Sequence, residues 1–191
     1  MKVDKIIFLD IDGVLNSQEW AEKHYKMLKA GTVTDGVNDL CDPEATDRLI
    51  KMLDETGAKI VLSSSWRSNT VEDTIEDFKT FRHVPFHKLV PYIIGITPRF
   101  KERMWRGKEI QYWIDWLHRG KLEQAHLILP DVEVSSNAKG VVVDDVDVKR
   151  DFCYVIVDDD SDMLKGQNFV QTDWITGLTD ENVEQIKKYL K

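Results

Sequence analysis

Apolar and polar residues fall in blocks along this chain, and the blocks change period. Ile6-Ile7-Phe8-Leu9 is a continuous apolar run, the pattern of a strand buried on both faces in a parallel sheet. Strand one is predicted over 5–11. Residues 17–29 predict a helix with Trp20, Ala21, His24, Tyr25 and Leu28 on one side. Asp42-Pro43-Glu44 opens a second helix with an N-cap acid, proline at the first position and an acid in the first turn. It runs to about residue 56, and Gly57 ends it. Ala58 to Leu62 is a second buried strand, 70–81 a helix and 92–95 a short strand. Ile110, Trp113, Ile114 and Leu117 recur at i, i+3, i+4 and i+7, which predicts a helix over 106–119. Tyr154 to Asp158 predicts another buried strand and 169–171 a short last one. Thr179 starts a closing helix with Val183, Ile186 and Leu190 turned inward. This alternation predicts an α/β fold: an open, mostly parallel sheet with helices on both faces.

One stretch breaks the alternation. Leu127–Val134 and Val141–Val148 are two β-like runs separated by Ser135-Ser136-Asn137-Ala138-Lys139-Gly140. They predict an antiparallel hairpin inserted near 125–149.

At 191 residues the chain suits one domain with a sizeable core. No apolar run approaches the roughly 18–20 residues that span a bilayer. Met1-Lys2-Val3-Asp4-Lys5 enters the first strand without the pattern of a signal peptide. Cys41 and Cys153 have no motif spacing and read as reduced thiols, so a cytoplasmic location and no membrane partner are expected. The formal net charge of -8 argues against non-specific nucleic-acid binding through a basic surface. A local basic stretch exists at 99–108, with Phe100 and Trp105 interleaved, and it suits a nucleic-acid backbone with a stacked base. Trp113 and Trp116 read as packing residues.

Three polar clusters each follow an apolar strand. Asp10 and Asp12, spaced i and i+2 and followed by Gly13, end the first. On an extended chain they point the same way. Two adjacent acids repel unless a cation or a proton sits between them, and a hard divalent ion such as Mg²⁺ takes oxygen ligands of this kind. Ser63-Ser64-Ser65-Trp66-Arg67 follows the second strand, and Asp158-Asp159-Asp160-Ser161-Asp162 follows the later one. A parallel sheet brings strand ends to one edge, so the three clusters converge there. A cation from the helix at Arg106-Gly107-Lys108 joins them.

In order along the chain, these motifs are an apolar strand with Asp10-Ile11-Asp12-Gly13, and Leu62-Ser63-Ser64-Ser65. Arg106 or Lys108 at a helix start follows, and then Val157-Asp158-Asp159 with Asp162. The chain resembles the haloacid dehalogenase (HAD) superfamily of phosphohydrolases in all four motifs, over most of its length. Asp-Gly-Val-Leu-Asn, Leu-Ser-Ser-Ser-Trp-Arg, Arg-Gly-Lys-Glu-Ile with Trp113, and Val-Asp-Asp-Asp-Ser-Asp-Met are similar to a small-cap subgroup of nucleic-acid repair domains. The phosphatase half of polynucleotide kinase-phosphatases is a neighbour of that subgroup. The resemblance implies a single Rossmann-like domain over 1–191, with minimal cap elements at about 16–42 and the hairpin at 125–149.

The resemblance further implies a Mg²⁺-dependent phosphomonoesterase. Asp10 is then the nucleophile that forms an aspartyl-phosphate, and Asp12 the general acid and base. The metal is held by Asp10, the backbone carbonyl of Asp12, and Asp158 or Asp159. Ser64, with Ser63 and Ser65 as alternatives, binds a phosphoryl oxygen. Arg106 or Lys108 balances its charge, and Gly13 lets backbone N–H groups approach it. Arg67 fits either a substrate contact or an anchor for a loop acid. The implied substrate is a nucleotide or a nucleic-acid end. Two other readings remain: a phosphate-pocket binding or regulatory module with little turnover, and a phosphotransferase to an acceptor other than water. The oligomeric state is not implied.

Overall fold

Ile6, Ile7, Phe8 and Leu9 are all fully buried, and the pleat sends alternate side chains to opposite faces. Ile7 and Leu9 enter one apolar cluster with Leu49, Met52, Phe78 and Ile186. Ile6 and Phe8 enter a second with Ile110, Trp113 and Ile114. The first strand therefore has a helical layer on each side. A computed structural model of the chain describes residues 2–33, 41–80, 84–100, 105–119 and 146–191. The element order is β1 (Lys2–Leu9), α1 (Gln18–Lys29), α2 (Pro43–Thr56), β2 (Lys59–Leu62), α3 (Val71–Thr80) and α4 (Val84–Leu89). After a 3₁₀ turn at Val90–Tyr92 come β3 (Ile93–Ile96), α5 (Arg106–Arg119), β4 (Asp147–Asp158), β5 (Phe169–Gln171) and α6 (Asp180–Tyr189).

Among the described residues the sheet has the order β3-β2-β1-β4-β5, and every pairing is parallel. From β1 the chain moves outward through β2 and β3, then returns to the other side of β1 for β4 and β5. The order reverses between β1 and β4, and that switch point is where open α/β sheets form a ligand crevice. Asp10 follows β1 and Asp158 ends β4, so both stand at that crevice. The helices stay on both faces, with α5 in the second cluster and α2, α3, α4 and α6 in the first.

The predicted caps hold. Asp42 caps α2 by accepting the Glu44 N–H at 2.9 Å, and Gly57 ends it at φ 73°. Thr179 caps α6 in a reciprocal pair with Asn182. The structure departs from the sequence pattern in α1 and adds an element at α4. Ala21 and Tyr25 of α1 are exposed, and Trp20 and His24 are its buried residues. The short helix α4 is not anticipated, because six residues carry too little period to read; it buries Phe86 and Leu89. The expected hairpin near 125–149 lies outside the described residues except at its end. There, Asp147 and Val148 belong to β4 and pair in parallel with Lys2 and Val3. A register shift between Val3 and Lys5 then brings Cys153 opposite Lys5. No described helix is long and apolar enough to cross a membrane.

Candidate active site

The strand ends bring three carboxylates together. Asp10, Asp158 and Asp159 place carboxylate oxygens within 4.8 Å of one another. Asp10 and Asp158 are buried, at 5% and 1% exposure. Backbone geometry fixes Asp10: its N–H continues the ladder to Val157 O at 3.0 Å. Its Oδ1 accepts the Ile11 N–H at 2.7 Å, which leaves Oδ2 toward the pocket. Asp158 Oδ1 accepts the Asp160 N–H at 2.9 Å, whereas the buried Oδ2 accepts no hydrogen bond. Burial pushes Asp158 up to about 8, with the Asp10 charge adding to it and Arg106 opposing it. Burial also raises Asp10, against the Arg106 guanidinium, the Ser64 hydroxyl and the Ile11 N–H.

Among the described residues, one cation faces these acids. Arg106 NH2 lies 3.5 Å from Asp10 Oδ2 and its Nε 3.4 Å from Asp158 Oδ2. Its backbone N–H donates to Asp162 Oδ2 at 2.9 Å. Asp162 thus caps the start of α5, satisfying one of the free N–H groups of a first turn, and stands apart from the three clustered carboxylates. Lys108 goes elsewhere: it is exposed, with Nζ 5.2 Å from the Trp105 ring centroid. Gly107 is required between them. A Cβ there would meet Leu164 N at 2.5 Å and Met163 Cα at 2.8 Å, so α5 could not seat its first turn against the acid loop.

Asp12 is held by a separate set of donors. Trp66 Nε1–H reaches both carboxylate oxygens at 3.0 Å. The Ser65 hydroxyl donates to Oδ2 at 3.1 Å and Asn16 Nδ2 to Oδ1 at 2.8 Å. The serine run therefore divides three ways. Ser63 Oγ accepts from Thr97 Oγ1 at 3.4 Å. Ser64 is fully buried, accepts the Trp66 N–H at 3.3 Å and stabilises the charged form of Asp10. Ser65 is exposed and orients Asp12. Gly13 sits at φ 65°, and its N–H is taken by Asn16 Oδ1 at 2.9 Å. Its missing side chain makes room for Asp159, whose Cγ would lie 2.3 Å from a Cβ at that position.

Arg67 turns into the fold. It is 4% exposed and donates to Thr97 O at 3.0 Å, Ser64 O at 2.5 Å, Pro98 O at 3.2 Å and Glu109 Oε2 at 2.6 Å. Burial brings its pKa down to about 10 and raises Glu109 despite the contact. Of the two sequence readings, this geometry is that of the anchor. Arg99 holds the same loop by donating to Ser65 O at 2.6 Å and to Arg67 O. Phe100 is core, edge-on to Tyr112 at 5.3 Å, and is not free to stack on a base. Residues 101–104 of the basic stretch lie outside the described residues. Trp113 is fully buried against Phe8 at 5.3 Å, as packing residues should be.

Sequence reading missed Trp66 and Asn16 as partners of Asp12, and Glu109 as the partner of Arg67. A signal existed for Asn16, four residues beyond Asp12 in the same short turn. None existed for Glu109, whose partner lies 42 residues away.

The acids suit a divalent cation. Three oxygen-bearing side chains converge, and a buried carboxylate oxygen with no hydrogen bond is costly unless something else neutralises it. With its pKa near 8, metal-free Asp158 holds a proton at pH 7. A cation entering the cluster must displace that proton, so its affinity should rise with pH toward 8. Calorimetric titration with Mg²⁺ at pH 7, in two buffers of different ionisation enthalpy, should detect about one proton released per ion. Equal heats in both buffers would contradict this. Gly13→Ala should push Asp159 aside and raise the Mg²⁺ concentration needed for half-saturation by about 10–100-fold or more, since a displaced ligand costs at least as much as a disturbed outer-shell partner. An unchanged Mg²⁺ titration would remove Asp159 from the metal set.

No curated protein and no solved structure gives a match to this chain. A family model does match, over residues 6–183: the HAD domain in Swiss Army Knife RNA repair proteins. The matched span takes in every strand-end cluster described above, from Asp10 to Asp162, and nearly the whole sheet. The chain belongs to the family of HAD domains found in Swiss Army Knife RNA repair proteins.

Proposed function

We propose that this protein is a Mg²⁺-dependent phosphomonoesterase that removes a terminal phosphate from a nucleic-acid end, through a covalent phosphate on Asp10. Family membership supports a phosphatase-type activity in general and associates the domain with RNA repair. The observation that carries the specific reading is the pocket between β1 and β4. Asp10 Oδ2 is there directed at a guanidinium and beside two further acids.

Mg²⁺, held by Asp10, Asp158 and Asp159 with the Asp12 carbonyl, would shield the phosphate's charge from the attacking carboxylate. Asp10 Oδ2 attacks phosphorus, and the bond to the leaving oxygen breaks. Asp12 donates its proton to that oxygen. The Asp12 carboxylate then takes a proton from water, whose oxygen attacks the phosphorus. Inorganic phosphate leaves and Asp10 is restored. Arg106 offsets charge on the transferred group, and the single Ser64 hydroxyl proton would turn from the Asp10 carboxylate to a phosphoryl oxygen as the ester forms. Ser65, Trp66 and Asn16 keep the Asp12 carboxylate in one orientation through both proton transfers. Asp12 itself, with the donors around it, is what favours turnover over a silent phosphate-binding pocket.

In this reading the described part of the expected cap, residues 16–33, is small, which suits a polymeric end. Phosphate release from 3′- and 5′-phosphorylated oligoribonucleotides, with and without Mg²⁺, tests it. Mg²⁺-dependent release from one of the two is expected. Loss of the terminal phosphate only with an added alcohol, which becomes phosphorylated in place of inorganic phosphate forming, would make the protein a phosphotransferase. Binding without release would make it a regulatory module.

A further inference from the structure

The segment after β5 is built into the pocket wall, and sequence reading passed over it. Thr172 Oγ1 donates to Gly13 O at 2.8 Å, tying the segment to the loop that carries Asp12. Leu178 N–H donates to Val14 O at 2.8 Å. Gly177 sits at φ 68°, and a Cβ there would meet Val14 O at 2.9 Å. Between these anchors, Asp173 O accepts from Thr176 and Gly177, and Asp173 Oδ1 accepts the Ile175 N–H at 2.7 Å. Trp174 O and Ile175 O accept the first N–H groups of α1, from Gln18 and Glu19. Every turn of this backbone is hydrogen-bonded, yet the Trp174 side chain is 53% exposed.

Burial would ordinarily be the favourable place for an indole, since it offers more apolar surface than most side chains. Its exposure becomes informative through its place, because the hydrogen-bonded loop sets it beside a groove that adjoins the acid cluster. The indole lines a groove of about 530 Å³ together with Asp159, Gln171, Asp173, Thr176 and Asn182. Asp159 belongs to both the groove and the acid cluster, so the groove begins where the phosphate would sit. Its wall is polar apart from the indole. That combination fits a flat ring with a polar edge: stacking on one face, hydrogen bonds at the rim.

We propose that Trp174 is the stacking platform for the nucleobase next to the scissile phosphate, an assignment that rests on the phosphatase reading above. It makes Trp174 a specificity-determining residue that separates nucleotide ends from phosphorylated sugars.

The test compares kcat/KM for adenosine 3′- and 5′-monophosphates with that for ribose 5-phosphate, which lacks the base. The nucleotide-to-sugar ratio should fall about tenfold or more in Trp174→Ala and return in Trp174→Phe, because stacking needs only an aromatic face. A ratio in Trp174→Ala within about twofold of the native value overturns the proposal. If the native protein hydrolyses none of the three and none of the phosphorylated oligoribonucleotides, the phosphatase reading fails separately. The platform is then judged by equilibrium binding of adenosine 5′-monophosphate with Mg²⁺ present. Weakened binding in Trp174→Ala, restored by Trp174→Phe, sustains it, and unchanged affinity in Trp174→Ala overturns it.

Discussion

Asp10→Asn is expected to lower kcat for phosphate release by about four orders of magnitude or more, the scale on which loss of a covalent nucleophile acts. The amide is nearly isosteric, so the ladder bond from Asp10 N–H to Val157 O and the contact from Ile11 N–H to Oδ1 remain possible. What disappears is the nucleophilic oxygen and one negative charge at the cluster. The measurement is phosphate release from an aryl phosphate with Mg²⁺, beside the native chain, with the thermal midpoint as a control for folding. Residual activity within about tenfold of native would show that another group attacks phosphorus. Asp12→Asn separates the two roles, because trapping of the covalent phosphate on Asp10 should survive it when the leaving group is a good one.

Arg67→Met should cost about 3–5 kcal/mol of stability, the range found when one partner of a buried ion pair is removed. Arg67 joins the serine loop, the segment after β3 and α5 through Ser64, Thr97, Pro98 and Glu109. Its loss strands the Glu109 carboxylate, with Arg106 NH1 3.8 Å away and Arg99 as weaker remaining cations. The Thr97, Ser64 and Pro98 carbonyls lose their guanidinium donor at the same time, and Ser64 O keeps the backbone N–H of residue 67 at 3.3 Å. The urea midpoint should fall with little change in slope. The double variant Arg67→Met with Glu109→Leu should recover part of the loss, because no carboxylate is then left uncompensated. A variant of native stability with a raised KM would instead make Arg67 a substrate contact.

The sheet was legible because its central strands are apolar on both faces, and such runs need no tertiary context. The motif order was legible because strand ends in a parallel sheet share an edge. The choice between Arg106 and Lys108 was also within reach. Arg106 lies four residues before Ile110 and seven before Trp113, on the inward face of α5, whereas Lys108 lies about 200° around the helix from Arg106. The serines were not resolvable: three identical hydroxyls leave a turn, and only the backbone path decides that Ser64 faces Asp10 and Ser65 faces Asp12. Nor were the four acids of 158–162. Asp158 follows from its place in β4, but Asp162 caps a helix that starts 56 residues earlier. Trp174 lay in a polar stretch with no period, where an indole gives no sign of facing water.

Under the proposed function, the acid cluster and Arg106 would also favour an order of binding. With Asp158 protonated, Asp10 and Asp159 still outnumber the one guanidinium that faces them among the described residues, so without a cation the pocket would disfavour a phosphate dianion. Affinity for the phosphate and affinity for the cation are therefore linked, and each raises the other by the same factor. A phosphorylated end would gain a foothold only after a divalent ion has arrived. At low free Mg²⁺ the domain would pass over such ends without engaging them, so its response would follow the ion supply as well as the number of ends.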